Sequence, residues 1–247
     1  MTLLLKPKRR RRSRSDRRTR SLTFSALAWL KFQFLCHAGP TEVGGFGLSH
    51  PDDPLFVEDV LIVRQHCTVV SVAFVDLAVA DLFDEMADAG VPPNRFARIW
   101  LHTHPGSLVD PSSVDEATFA RVFGTCDWSI MAILGRTGRM SARLQFTTGP
   151  GAAIALPTRV DWSDWPDLAG SLAERAEEWR QEYTAKIHVP RLCDELFLTP
   201  SNGAVKQRCS RVVTEPHALR HAGGDGDHVL DDPAELATDN IAIRVHP

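Results

Sequence analysis

Phe96-Ala97-Arg98-Ile99-Trp100-Leu101-His102-Thr103-His104 is an apolar run that ends on two histidines, and Pro105-Gly106 stops it. Such a run reads as a strand, in which residues two apart share a face. His102 and His104 therefore aim together, while Thr103 points the other way. Asp110-Pro111-Ser112-Ser113 follows and opens a helix, because proline is favoured just inside a helix start. Asp115 falls in the first turn, three after Ser112, so both can face one side. Two imidazoles and a carboxylate are the three protein ligands of a catalytic zinc, whose fourth position stays open to water. Each piece is weak alone, since any strand can carry two histidines and Ser-x-x-Asp is a common helix cap.

Upstream, Thr41-Glu42-Val43-Gly44-Gly45-Phe46-Gly47 joins an apolar stretch to a glycine-rich strand. Taken with the H-T-H-P run at 102–105 and S-x-x-D at 112–115, it resembles the signature of the JAMM (MPN-plus, Mov34/JAB) zinc metalloprotease family, over about Leu22 to Trp162. The resemblance implies an α/β fold, a curved mixed β-sheet flanked by helices, of JAB/MPN, cytidine-deaminase-like architecture. It implies one zinc per chain, held by His102, His104 and Asp115, with Glu42 as general base and acid and Ser112 as oxyanion donor. The resemblance, not the spacing, selects Glu42 over Glu58 or Asp59. Family members cleave ubiquitin or ubiquitin-like proteins from conjugates, or trim sulfur-carrier proteins. The implied activity is hydrolysis of a peptide or isopeptide bond at the C-terminus of such a partner. Only about a dozen residues separate Asp115 from the next strand, a short connection. That fits a compact, prokaryote-type member rather than a larger eukaryotic deubiquitinase.

Two other readings stand beside this one. A non-catalytic scaffold of the same fold would usually lack a ligand or the glutamate, and here all are present. A DNA-repair-associated JAB-like protein would use a basic arm as an anchor. Residues 6–20 do hold ten basic residues and one acid, Asp16, which leaves 18 basic against 30 acidic residues elsewhere. Arginines without interleaved aromatics attract phosphate but read no sequence, so only nonspecific nucleic-acid contact is expected there.

The 247 residues suffice for one domain with a core plus extensions. The expected divisions are a disordered basic arm over 1–20, the metalloprotease-type domain over 21–162, a C-terminal helix over 163–190 and a flexible tail over 191–247. Hydrophobic residues at 43% and charged residues at 24% are ordinary globular values, which argues against a fibrous or wholly disordered chain. The five cysteines are scattered and form no C-x-x-C pair, so a disulfide framework or a cysteine-rich zinc site is not expected. A reducing, cytoplasmic setting follows. No apolar run is long enough to span a bilayer, and no membrane partner is expected. Ser21 to Leu35 behind basic residues has a signal-peptide outline, but Lys31 interrupts it.

The periodicity predicts a helix over Ser21–His37, with Leu22, Ala26, Leu30 and Phe34 recurring at fours. Strands are expected over Val43–Leu48, Leu55–Val63 and Val69–Phe74, and a helix over Asp76–Ala89, closed by Gly90. A helix from about Ser112 to Val122 precedes a hairpin of Trp128–Leu134 and Arg139–Thr147, with Ala152–Leu156 a last short strand. Leu168–Ile187 reads as a solvated helix whose apolar stripe is Leu172, Ala176, Trp179 and Tyr183. His37, His50, His66 and His188 have no ligand-like spacing, and Cys67 and Cys126 read as small core residues.

Overall fold

The computed structural model describes residues 20–189; the arm before Arg20 and the tail from 190 lie outside the described residues. Leu22-Thr23-Phe24-Ser25 forms strand β1, with Leu22 and Phe24 buried, and helix α1 runs Ala26–His37. The expected helix thus starts later than its period of four suggested. The reason is local and tertiary together. Ser25 caps the helix by accepting from the Ala28 N–H at 3.0 Å, and β1 gains a parallel partner far along the chain. Apolar residues surround α1 rather than lining one stripe, as suits a helix packed on several sides. It lies against β1 and α5 (Trp165–Ala169), α6 (Leu172–Lys186) and several strands of the main sheet. Burying Phe32 and Leu35 fully contributes about 1.5–3 kcal/mol each.

The main sheet contains β1, β2 (Gly44–His50), β3 (Asp53–Leu61), β6 (Ile99–His104), β7 (Trp128–Gly135), β8 (Met140–Phe146), β9 (Ala152–Ala155) and β10 (Thr158–Asp161). Their order is β10-β1-β3-β2-β6-β7-β8-β9, a mixed eight-stranded sheet. β9 and β10 stand at opposite edges, yet only Leu156 and Pro157 separate them in the chain. Three Cα steps, from Ala155 to Thr158, reach about 11 Å at most, so the sheet curls until its edges nearly meet. The Leu156 N–H donates to the Ala142 carbonyl at 2.8 Å, and the Leu22 N–H donates to the Pro157 carbonyl at 2.9 Å. β10 is a finding of the structure, since Thr-Arg-Val-Asp carries no strand pattern of its own.

A second, three-stranded sheet has the order β11-β4-β5, from β4 (Gln65–Cys67), β5 (Val72–Phe74) and β11 (Ile187–His188). The strand expected over Val69–Phe74 is therefore a hairpin, turned where the Thr68 N–H donates to the Ser71 carbonyl at 2.9 Å. Helices α2 (Asp76–Asp88), α3 (Pro93–Phe96) and α4 (Ser113–Phe123) complete the fold. Phe96 ends α3, so the ligand strand starts at Ile99, not Phe96. The long solvated helix is two, α5 and α6, separated at Gly170-Ser171. On α6, Trp179 is buried against Phe34 at 5.8 Å between ring centroids.

Alternation sorts the sheet into two cores. Ile99, Leu101, Ile130, Ala132 and Leu134 face α1, whereas Trp100, Met131 and Ile133 pack with Phe119 and Phe123 of α4. β6, α4 and β7 form a parallel crossover unit, with Ile99 to His104 registered against Ile130 to Gly135. The carboxyl end of β6 thus opens beside the start of α4, where open α/β sheets bind ligands.

Candidate metal centre

His102 and His104 end β6 on the α4 face, as the two-residue spacing requires. Trp100, on the same face, stacks on His102 with 4.4 Å between centroids and also lies against Phe119 and Phe123. It fills the core and floors the site at once. Asp115 arrives from the first turn of α4. Its Oδ1 lies 3.3 Å from His102 Nε2 and its Oδ2 lies 3.5 Å from His104 Nε2. One ligand atom from each residue lies within 4.8 Å of the other two, a group able to hold a metal ion.

Satisfaction of the polar atoms tests that fit. His102 Nδ1 and Nε2 and His104 Nε2 are all buried without a hydrogen-bond partner. Unpartnered buried polar atoms are costly, and a cation at the centre of the group would satisfy one nitrogen of each ring. His104 Nδ1 lies 3.0 Å from the Leu108 carbonyl. A carbonyl only accepts, so Nδ1 carries the proton and Nε2 presents its lone pair to the site. His102 is fully buried, which pushes its imidazole below the usual range and keeps it neutral. The facing Asp115 raises His104 above the usual imidazole range. Burial alone would raise Asp115, but the two imidazoles and the Ser112 side chain hold it well below the usual carboxylate range.

Ser112 caps α4 and pairs reciprocally with Asp115. The Ser112 N–H donates to Asp115 Oδ2 at 2.7 Å, and the Asp115 N–H donates to Ser112 Oγ at 3.2 Å. The helix cap thus fixes the carboxylate beside the exposed Ser112 hydroxyl. Opposite, Glu42 is buried just before β2, with Oε1 3.7 Å from His104 Nε2. Burial pushes its carboxyl up to about 7 against the pull of His104. All five residues singled out in the sequence therefore converge on one site.

Three supports form no motif in the sequence. Thr103 turns away from the histidines and clasps the strand start beside Glu42. The Val43 N–H donates to Thr103 Oγ1 at 2.9 Å, and the Thr103 N–H donates to the Val43 carbonyl at 2.9 Å. Gln65, fully buried on β4, brackets Gly44. Its Oε1 accepts from the Gly44 N–H at 2.8 Å and its Nε2 donates to the Gly44 carbonyl at 2.9 Å. The Glu42 N–H donates to the Thr68 carbonyl at 2.9 Å. The hairpin presses so closely that a Cβ on Gly44 would stand 2.8 Å from Val72 Cγ1 and 2.9 Å from Phe74 Cε1. A buried threonine inside an apolar strand was the one available signal, since such a hydroxyl needs a partner.

Beside α4, Arg143 of β8 grips Glu116 with two contacts, 2.5 Å and 2.6 Å, and lies over the Phe119 ring at 5.6 Å. This bidentate pair ties the first turn of α4, and with it Asp115, to the sheet. Among the described residues, no helix is long and apolar enough to cross a membrane. Compared with known proteins, the chain matches no family model and no curated protein.

Proposed function

We propose that this chain is a zinc-dependent hydrolase that cleaves a peptide or isopeptide bond, acting at the C-terminus of a ubiquitin-like or sulfur-carrier protein. The observation that carries this reading is the convergence of the unpartnered imidazole nitrogens of His102 and His104 on Asp115, with Glu42 buried 3.7 Å away. Mixed nitrogen and oxygen donors, three in number, suit a catalytic zinc rather than a closed structural one. When bound, zinc supplies Lewis acidity, which acidifies water and polarises a carbonyl.

The protein's own groups supply the rest. Glu42 does not belong to the ligand triad, so it keeps its basicity. Its carboxyl, raised to about 7, takes a proton from water and returns it to a leaving amine near neutral pH. Ser112 accepts from the Asp115 amide, which orients its hydroxyl to donate to a developing oxyanion. Thr103 and Gln65 hold the backbone on both sides of Glu42, so the base stays in place without moving during turnover.

The first test is metal content. Wild-type protein should purify with about one zinc at this centre, and the His102→Ala/His104→Ala double variant should lose it. Glu42→Gln should keep the zinc and lower cleavage of a ubiquitin-like fusion by about 10²–10⁴-fold. Absence of zinc from the wild type after reconstitution, or wild-type turnover in Glu42→Gln, would overturn the reading.

A further inference from the structure

β11 is only two residues long, and it pairs in parallel with β4 so that His188 registers directly on His66. Their sequence separation hides them from any motif, but the fold sets both imidazoles side by side on the surface. Both residues are exposed. Their ring centroids are 5.0 Å apart and the planes are nearly perpendicular, at 89°. In the candidate metal centre, His102 and His104 have centroids 5.1 Å apart. The two pairs therefore share nearly one separation. A metal–nitrogen bond of about 2.0–2.1 Å plus the ring radius puts two imidazoles on one tetrahedral ion roughly 5 Å apart, centre to centre.

We propose that His66 and His188 form a second metal site, for a divalent transition cation such as zinc. Imidazole pairs select zinc, nickel or copper over magnesium and calcium, which prefer oxygen. With two protein ligands and an exposed setting, the remaining positions go to water, so this site fills after the buried one. Its effect is mechanical. An ion there fastens β11, and hence the end of α6, to β4. Gln65 beside His66 brackets Gly44, and Thr68 receives the Glu42 amide, so the clip braces the hairpin behind the site. The inference stands on the ring pair alone and does not depend on the hydrolase reading.

Zinc binding and thermal unfolding of the full chain test it, on wild type, His66→Asn, His188→Asn and His102→Asn. Wild type should take up one zinc more than either surface variant, and His102→Asn should retain this surface equivalent. With zinc about 100-fold above its dissociation constant, binding to the folded state alone raises the folded-to-unfolded ratio about 100-fold. Either surface substitution should remove that increment while leaving metal-free stability unchanged. The proposal is overturned if His66→Asn or His188→Asn keeps the wild-type equivalent and its stabilisation. It is equally overturned if wild type shows no such equivalent, in which case the rings make an edge-to-face contact only.

Discussion

Thr103 does more than separate two ligands. It spends its hydroxyl on the Val43 amide, one residue from Glu42, the proposed base, and its own amide on the Val43 carbonyl. Thr103→Val keeps the shape but strands a buried N–H, which costs about 1–3 kcal/mol. The expected outcome is retained zinc, a lower urea midpoint and a turnover that falls with kcat rather than KM, because the base is displaced and the metal is not. Steady-state kinetics beside metal analysis would check it. The thiol of Cys67 makes a complementary case. Burial pushes it up to about 12, with Glu42 adding to the rise, so it should resist alkylation at pH 8 in the native protein. Rapid native labelling of Cys67, read by mass spectrometry, would contradict that. At this scale the sequence was largely legible: His102, His104 and Asp115 were nameable from type and spacing, and Glu42 and Ser112 from the family resemblance. Gln65 was not, because a glutamine that brackets a backbone has no pattern along the chain.

α4 shows how an element delivers a ligand. Its capping box binds Ser112 and Asp115 to each other, so the helix start and the candidate metal centre are one structure. Ser112→Ala should lose about 1 kcal/mol, a shift of roughly 2–4 °C in the unfolding midpoint, and should weaken zinc binding as Asp115 loosens. Ser112→Thr keeps both the cap and the hydroxyl and should restore stability and turnover together. If Ser112→Ala unfolds at the wild-type temperature, the cap is not what fixes Asp115. Elements with their own punctuation were readable: α2 ends at Gly90, whose φ is +70°, and α4 begins at its cap. β1 was not, because Leu22, Ala26, Leu30 and Phe34 recur at a helical interval while the pairing that makes Leu22–Ser25 a strand comes from β10. The β4–β5 hairpin was missed for a similar reason, since its three-residue strands are too short to show a period.

In the whole molecule, one buried charge joins the layers. Lys31 of α1 is 6% exposed, and its Nζ lies 2.9 Å from Glu182 Oε2 of α6 and 3.6 Å from Asp59 Oδ1 of β3. Burial alone would raise Glu182, but Lys31 and Lys186 together lower it. A carboxyl depressed by folding stabilises above its unfolded value, near 4.3, and that contribution vanishes as pH falls through the folded value. Glu182→Gln should therefore cost about 3 kcal/mol at pH 7, and the gap to wild type should narrow at pH 3. Urea midpoints at the two pH values would decide; a gap that stays constant would show that the pair contributes nothing through ionisation. The mixed α/β class followed from the resemblance, while the strand order was not legible in the chain, because non-neighbouring strands meet only in three dimensions.

The two residues that join β9 to β10 carry a consequence for synthesis. β1 leaves the ribosome well before β10, yet β10 is one of its two neighbours. At translation rates of about 5–20 residues per second, that neighbour follows roughly 7–27 s later. Through that interval the nascent chain holds an apolar strand with one unfilled side, a state open to wrong partners. Native pairing completes only once Asp161 has emerged, so a chain stalled before β10 offers holdase chaperones a long-lived client.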